Sequence, residues 1–225
     1  MTYAFKQNLL PASKYGIKAP YAMTPQYITV HNTANDASAT NEIKYMITND
    51  NQVSYHVAVD DVEAIQAIPF NRNAWHCGDG QGNGNRKSIG IEICYSKSGG
   101  SRYIAAEENA VQYIAKLLKE FGWGIDRVKQ HYDWSKKNCP HRIRAEGRWN
   151  SFLKRVEAAM KPSTQQKEET PVANSLTSTA KQDLKDLLKE THKRGIMKVD
   201  HSEKVGSMTD GEALGLLISV VKRTL

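Results

Sequence analysis

The sequence predicts an α/β fold: a central mixed β-sheet flanked by helices, followed by a small helical domain at the C-terminal end. Three observations predict it. Short apolar runs of strand length, Gln26–His31 and Ser88–Cys94, are separated by segments of helical period. Two runs on either side of Asp60 and Asp61 have the pattern of a hairpin. From residue 161 to 177 the chain turns to Pro, Ser, Thr, Gln and Glu, with almost nothing to bury, before helical periodicity resumes.

Each element follows from local pattern. Residues 1–25 are punctuated by Pro11, Pro20 and Pro25 and read as irregular chain wrapping a sheet edge. Gln26–His31 reads as a buried strand. Ile43, Met46 and Ile47 recur at i, i+3, i+4 and predict a helix over Ala37–Thr48. Val53, Tyr55, Val57 and Val59 alternate with Ser54, His56 and Ala58, which predicts a strand over Gln52–Asp60, with Glu63–Pro69 as its hairpin mate. In the glycine-rich stretch within Asn71–Lys87, Gly84 is not followed by Lys-Ser in the frame that a phosphate-binding loop requires, and the stretch reads as a mobile surface loop. Ser88–Cys94 is a near-continuous apolar strand interrupted by Glu92. Val111, Ile114, Ala115, Leu118 and Phe121 form one stripe of a helix over Ala105–Phe121, with Gly122 as its stop. Asp126–His131 reads as a last strand, and Ala145–Met160 as a helix with Trp149, Phe152, Leu153 and Val156 on its apolar side. The domains expected are therefore 1–160, a linker over 161–177, and a tail over 178–225. In the tail, capping boxes are expected at Thr179–Gln182 and Thr209–Glu212.

Composition narrows the function. The chain has 225 residues, 40% hydrophobic and 24% charged, and a net charge of +7. No apolar run approaches the roughly 20 residues of a membrane span. Positive charge is spread along the chain, with no long basic run, zinc-finger spacing or aromatic-basic motif. This argues against nucleic acid as partner and suits weak attraction to an anionic polymer such as a bacterial wall. Three cysteines, an odd count, argue against a disulfide framework. Cys94 is expected to be buried in a strand, and Cys77 to lie exposed in its polar loop.

The stretch richest in chemistry is His131–His141, which holds two imidazoles, a thiol and two lysines. His131 and Cys139 can reach one metal if a loop folds between them, and Pro140 stops a helix from running through the cysteine. His31, where a strand gives way to a polar loop, is the best third ligand. Two His and one Cys on Zn²⁺ leave a fourth position open, the layout of a catalytic site. His141 is an alternative ligand. Glu92 is a carboxylate inside an apolar strand: either an ion-paired or edge residue, or a base beside the metal. Trp75 and His76 can line a groove, although Trp75 also reads as a half-buried anchor.

His31-Asn-Thr-Ala, Ser54-Tyr55-His56, Ile89-Gly-Ile-Glu-Ile93 and the Lys137 to Cys139 segment occur in an order that resembles the type-2 N-acetylmuramoyl-L-alanine amidases. These zinc enzymes share their fold with peptidoglycan-recognition proteins. The similarity spans roughly residues 20–160, and the whole chain looks like an endolysin of phages of spore-forming Gram-positive rods. The resemblance implies His31, His131 and Cys139 as zinc ligands, with Cys139 at the family's spacing. It implies Glu92 as general base, Lys137 as oxyanion stabiliser and Tyr55 as a tyrosine near the metal; Tyr55, Trp75 and His76 are the candidate substrate-binding residues. It implies peptidoglycan and wall polysaccharide as partners, with cleavage between N-acetylmuramic acid and L-alanine. The N-terminus has no signal-peptide pattern. The expectation is synthesis in the host cytoplasm and release to the wall through a separate membrane-permeabilising protein. Readings from other classes are a non-catalytic peptidoglycan-binding module, a cysteine hydrolase using Cys139, and a nucleic-acid binder. The tail is small for an independent core and contains no cysteine, so a homo-oligomer through the tail is also expected.

Overall fold

The computed structural model describes residues 3–161 and 177–224. The chain divides into two compact units, Met1–Pro162 and Ser163–Leu225. The linker expected over 161–177 lies, apart from Lys161 and Thr177, outside the described residues.

The first unit contains six strands: β1 (Ala4–Gln7), β2 (Tyr27–Asn32), β3 (Val57–Val59), β4 (Glu63–Gln66), β5 (Ser88–Ile93) and β6 (Val128–Gln130). Its helices are α1 (Tyr15–Lys18), α2 (Ala39–Thr48), α3 (Asn83–Lys87), α4 (Gly100–Phe121), α5 (His131–Ser135), α6 (His141–Ala145) and α7 (Trp149–Met160). The strands form one sheet in the order β1-β4-β3-β5-β2-β6. Only β3 and β4 pair antiparallel, as the expected hairpin; the other neighbours are parallel. The sheet is mixed and flanked by helices, as the sequence predicts.

Strand alternation sorts the two faces. In the β2–β5 register Ile28 stands beside Ile89 and Val30 beside Ile91, whereas His31 stands beside Glu92 and Thr29 beside Gly90. The first set, with Val57 and Val59, is fully buried in one core with Val111, Ile114 and Leu118 of α4. The second set carries the polar residues. α7 closes over α4, where the buried Glu107 accepts two hydrogen bonds from Arg148 (2.6 and 3.0 Å) and pairs with Arg155 at 3.0 Å. A buried carboxylate without such partners would cost several kcal/mol.

Several expectations are corrected. Residues 4–7 are not irregular chain but the parallel edge strand beside β4. All four of its residues are exposed, so it shows no apolar alternation. The strand expected over Gln52–Asp60 is only Val57–Val59, because Ser54 and His56 bond outside the ladder. The Ser54 hydroxyl donates to the Lys18 carbonyl (2.6 Å), and His56 Nδ1 accepts from Gly90 N (2.9 Å). The glycine-rich stretch is an organised loop rather than a mobile one. Asn85 Oδ1 accepts from the backbone N–H groups of His76 and Cys77, and Asp79 from those of Gly84 and Asn85. A Cβ at Gly84 would lie 2.6 Å from Cys77 Cβ, so only glycine fits there. Cys77 is fully buried, not exposed; Cys94 is buried as expected. The helix expected over Ala145–Met160 begins only at Trp149, and Gly147 (φ 65°) separates it from α6, which ends at Ala145.

The second unit consists of α8 (Ser178–Lys193), a 3-10 turn (Ser202–Ser207) and α9 (Asp210–Thr224). Its core holds Leu184, Leu188, Met197, Val205, Ala213 and Val220. The cap of α8 is Thr177, whose hydroxyl accepts from Ala180 N (3.1 Å), rather than the Thr179–Gln182 box; Gln182 reaches Asp186 instead. The box at Thr209 and Glu212 is formed. No helix among the described residues is long and apolar enough to cross a membrane.

Candidate active site and metal centre

Parallel strands β2, β5 and β6 end side by side, and open α/β sheets bind ligands outside such carboxyl ends. His31 leaves from the end of β2, Glu92 from β5 at the same level, and His131 immediately after β6. His131 was expected on the strand itself. It is instead the first residue of α5, whose start is held by Asp133 accepting from Gln130 N (2.8 Å). α5 ends on Lys136 in the left-handed region (φ 62°), after which the chain turns back to Cys139. Tyr132 N donates to the Cys139 carbonyl (3.0 Å), which fixes the return.

This geometry brings His31, His131 and Cys139 together. His131 Nδ1 lies 3.1 Å and Cys139 Sγ 3.7 Å from His31 Nδ1, and all three side chains are buried. Donors held at about 2.0–2.3 Å around one tetrahedral ion are separated from each other by roughly 3.3–3.6 Å. The donor set and its spacing therefore fit a zinc-sized cation. The alternative ligand His141 is not part of the group; its Nε2 donates to the Ser96 carbonyl (3.3 Å).

Hydrogen bonds behind His31 set its tautomer. His76 Nε2 faces the Ser88 carbonyl (3.2 Å) and must donate to it, which leaves His76 Nδ1 as an acceptor. His31 Nε2 is 2.9 Å from that nitrogen and donates, so His31 Nδ1 keeps a bare lone pair toward His131 and Cys139. Gly90 makes room for this: a Cβ there would meet the His76 ring at 2.8 Å. Cys77 Sγ lies 3.1 Å from His76 Nδ1, so His31, His76 and Cys77 form a second grouping behind the first.

Electrostatics agree with neutral donors. Burial, then His76, His131 and Lys137, push the His31 pKa well down. Burial and Lys137 bring His131 to about 4. Burial pushes the Cys139 thiol up to about 12, with Glu92 acting in the same direction. Its thiolate therefore needs a neighbouring cation. Burial, then Glu42, raise Glu92 to about 8 against the opposing pull of Lys137. Glu92 Oε2 is shielded from solvent and has no hydrogen-bond partner among the described residues.

The remaining expected residues fall on both sides of this centre. A groove of ≈ 530 Å³ is lined by Trp75, His76, His131 and the exposed Lys137. Trp75 is half-buried. His76, expected to contact substrate, lines this groove and has its ring nitrogens engaged by His31 and the Ser88 carbonyl. A second groove of ≈ 500 Å³ is lined by Tyr55, Glu42, Tyr45 and several asparagines. Tyr55 is buried and its hydroxyl donates to Glu42 Oε2 (3.4 Å). Burial and then Glu42 raise the Tyr55 pKa. Sequence reasoning missed Glu42, which sits in the first turn of α2 among ordinary solvent-facing residues, and missed His56 as a framework residue.

His56 supports a stability prediction. Its Nε2 donates to the Arg72 carbonyl (3.0 Å), and burial lowers its pKa to about 4. The unfolded imidazole, near 6.5, takes up a proton first as pH falls. The contribution of this imidazole is therefore full above pH ~6.5 and is lost as pH drops toward 4, by a few kcal/mol. Thermal melts between pH 7 and 4 should therefore show a smaller acid-side loss for His56→Gln than for the parent.

Comparison with known proteins agrees with the geometry. The N-acetylmuramoyl-L-alanine amidase family matches residues 21–142. The chain is 61% identical over 158 residues to the N-acetylmuramoyl-L-alanine amidase XlyB of Bacillus subtilis (strain 168), covering 70% of this chain and 50% of that protein. It is 62% identical over 156 residues to CwlA of the same strain, covering 69% of this chain and 57% of that protein. The chain thus spans about half the length of the curated relatives it matches. The solved structure of PlyL is 58% identical and superposes with a TM-score of 0.68, covering 69% of this chain and 98% of that one. With the matched segment spanning the whole His31–Cys139 constellation, the chain belongs to the N-acetylmuramoyl-L-alanine amidase family.

Proposed function

We propose that the first unit is a zinc-dependent peptidoglycan hydrolase, an endolysin. It cuts the amide between the lactyl group of N-acetylmuramic acid and the L-alanine of the stem peptide. The observation that carries this is the convergence of His31 Nδ1, His131 Nδ1 and Cys139 Sγ beside Glu92, with Lys137 at the rim of the adjoining groove. Zinc held by those three donors supplies a Lewis acid and acidifies water at neutral pH.

The chain's own residues do the rest. Glu92, in register with His31, takes the proton of the attacking water and returns it to the leaving amine of L-alanine. Lys137 lowers the Glu92 pKa against its burial, and a cation at the cluster would lower it further, toward the ionised form the base needs. Lys137 also faces the oxyanion that forms when the carbonyl becomes tetrahedral. His76 and Ser88 keep His31 in the required tautomer, and Tyr55 with Glu42 shapes the second groove beside the reacting amide.

Mass spectrometry of fragments released from purified walls tests the reading. Stem peptides with a free L-alanine amine support it. Binding to walls with no bond broken means a non-catalytic module. The tail, 178–225, is assigned to wall polysaccharide. Every candidate catalytic residue lies before residue 160, so a chain ending at Met160 should fold and retain zinc while sedimenting less with walls. An insoluble or metal-free product would misplace the boundary.

A further inference from the structure

The second unit carries an apolar face that its own core leaves uncovered. On α9, Ala213 and Val220 point into that core, and Leu216 is partly covered by it. Leu214, Leu217, Ile218 and Val221 lie on the adjoining face and are 58%, 40%, 47% and 47% exposed. Their i, i+3, i+4, i+7 spacing is that of a helix-packing stripe. Between stripe and α8 runs a groove of ≈ 320 Å³, lined by Asp183, Leu184 and Leu187 on one wall and Ala213, Leu214 and Leu217 on the other.

We propose that this face joins two copies of the chain, with α9 packed antiparallel against α9 of the second copy about a two-fold axis between Leu217 and Ile218. The stripe is complementary to itself under that operation. Leu214 comes opposite Val221, and Leu217 opposite Ile218, which is the requirement of an isologous contact. Charge fits the same arrangement. Lys222 of the second copy arrives level with Ala213, which lines the same groove as Asp183. Asp183 and Lys222 are both exposed, and neither is ion-paired among the described residues, where the bridges of this unit involve other side chains. Size points the same way, since a unit of this length approaches the roughly 40 residues below which oligomerisation or cross-links are usually needed. The polar stretch 162–176 offers few apolar side chains to fill the groove instead. A 15-residue helix is roughly 22 Å long. The contact therefore belongs at the small end of stable interfaces, below roughly 1,200 Å² in total, and should be concentration-dependent.

Sedimentation velocity of the full chain across a concentration series tests this. The 25.2 kDa mass should double as concentration rises. Leu217→Glu should remain monomeric throughout with unchanged circular dichroism, and Val221→Ser, a milder change, should weaken association if Leu217→Glu does not fold. Asp183→Lys and Lys222→Asp should each weaken the dimer several-fold, and the double exchange should restore it to within about twofold, since exposed charge pairs contribute modestly. A monomer at every concentration overturns the proposal, whether the stripe then covers the first unit or a wall polymer. A dimer indifferent to both stripe variants overturns the surface. A double exchange no better than the single ones overturns the antiparallel register.

Discussion

Replacing Glu92 by Gln should lower the turnover of walls by about 10²–10⁴-fold, the usual contribution of a positioned acid–base group. Gln keeps the shape and loses the proton transfer, so zinc content and fold should be unchanged. A second effect separates this role from a structural one. The Glu92 carboxyl is pushed up to about 8 by burial, then by Glu42. An acid with a raised folded pKa stabilises least at high pH: the unfolded chain releases its proton from about pH 4.5, the folded chain only near 8. Between those values the metal-free protein loses stability as pH rises, on the order of 1–3 kcal/mol by pH 7. Metal-free Glu92→Gln should therefore melt higher than the parent at pH 7 and show less of that slope. If the substitution instead unfolds the unit and leaves specific activity near normal, Glu92 is a structural residue.

Removal of the metal should be as severe. Lewis-acid catalysis supplies several kcal/mol to the transition state, which is on the order of 10³ in rate. A chelator should abolish wall lysis, and added Zn²⁺ should restore it. Cys139→Ser should lower both zinc content, read by elemental analysis, and rate. Because the Cys139 thiol is held near 12 without a cation, binding must release its proton. Calorimetry in buffers of different ionisation enthalpy should show that release, and zinc should be retained less well as pH falls. Zinc bound only by the folded chain should also raise the melting temperature. Full activity in a preparation shown to be metal-free would remove zinc from the mechanism.

Much of the fold was legible because strands and helices with one buried face announce their period. β2, β5 and α4 each bury a regular apolar set, and the β3–β4 hairpin is marked by its acidic turn. β1 was not legible, since none of its residues is buried and its place at the edge depends on β4, 59 positions later in register. The short helices α3, α5 and α6 were not legible either. Five residues show little periodicity, and these helices are held by Asp79, Asp133 and the chain's return to Cys139.

Within the site, the residue types and their order were open to sequence reading. His31 at a strand end, Glu92 in an apolar run, and Cys139 followed by Pro140 are each chemically conspicuous. Cys77 misled, because a polar, glycine-rich neighbourhood reads as surface. Asn85 and Asp79 fold that neighbourhood inward, where burial is complete. The sequence by itself determined the α/β class and the histidines, thiol and carboxylate that could meet. Tertiary structure alone decided that they do meet, by setting parallel β2, β5 and β6 in register so that three strand ends share one level. It also decided which nitrogen of His31 is free, since the Ser88 carbonyl and His76 that fix its proton become its neighbours only across the sheet.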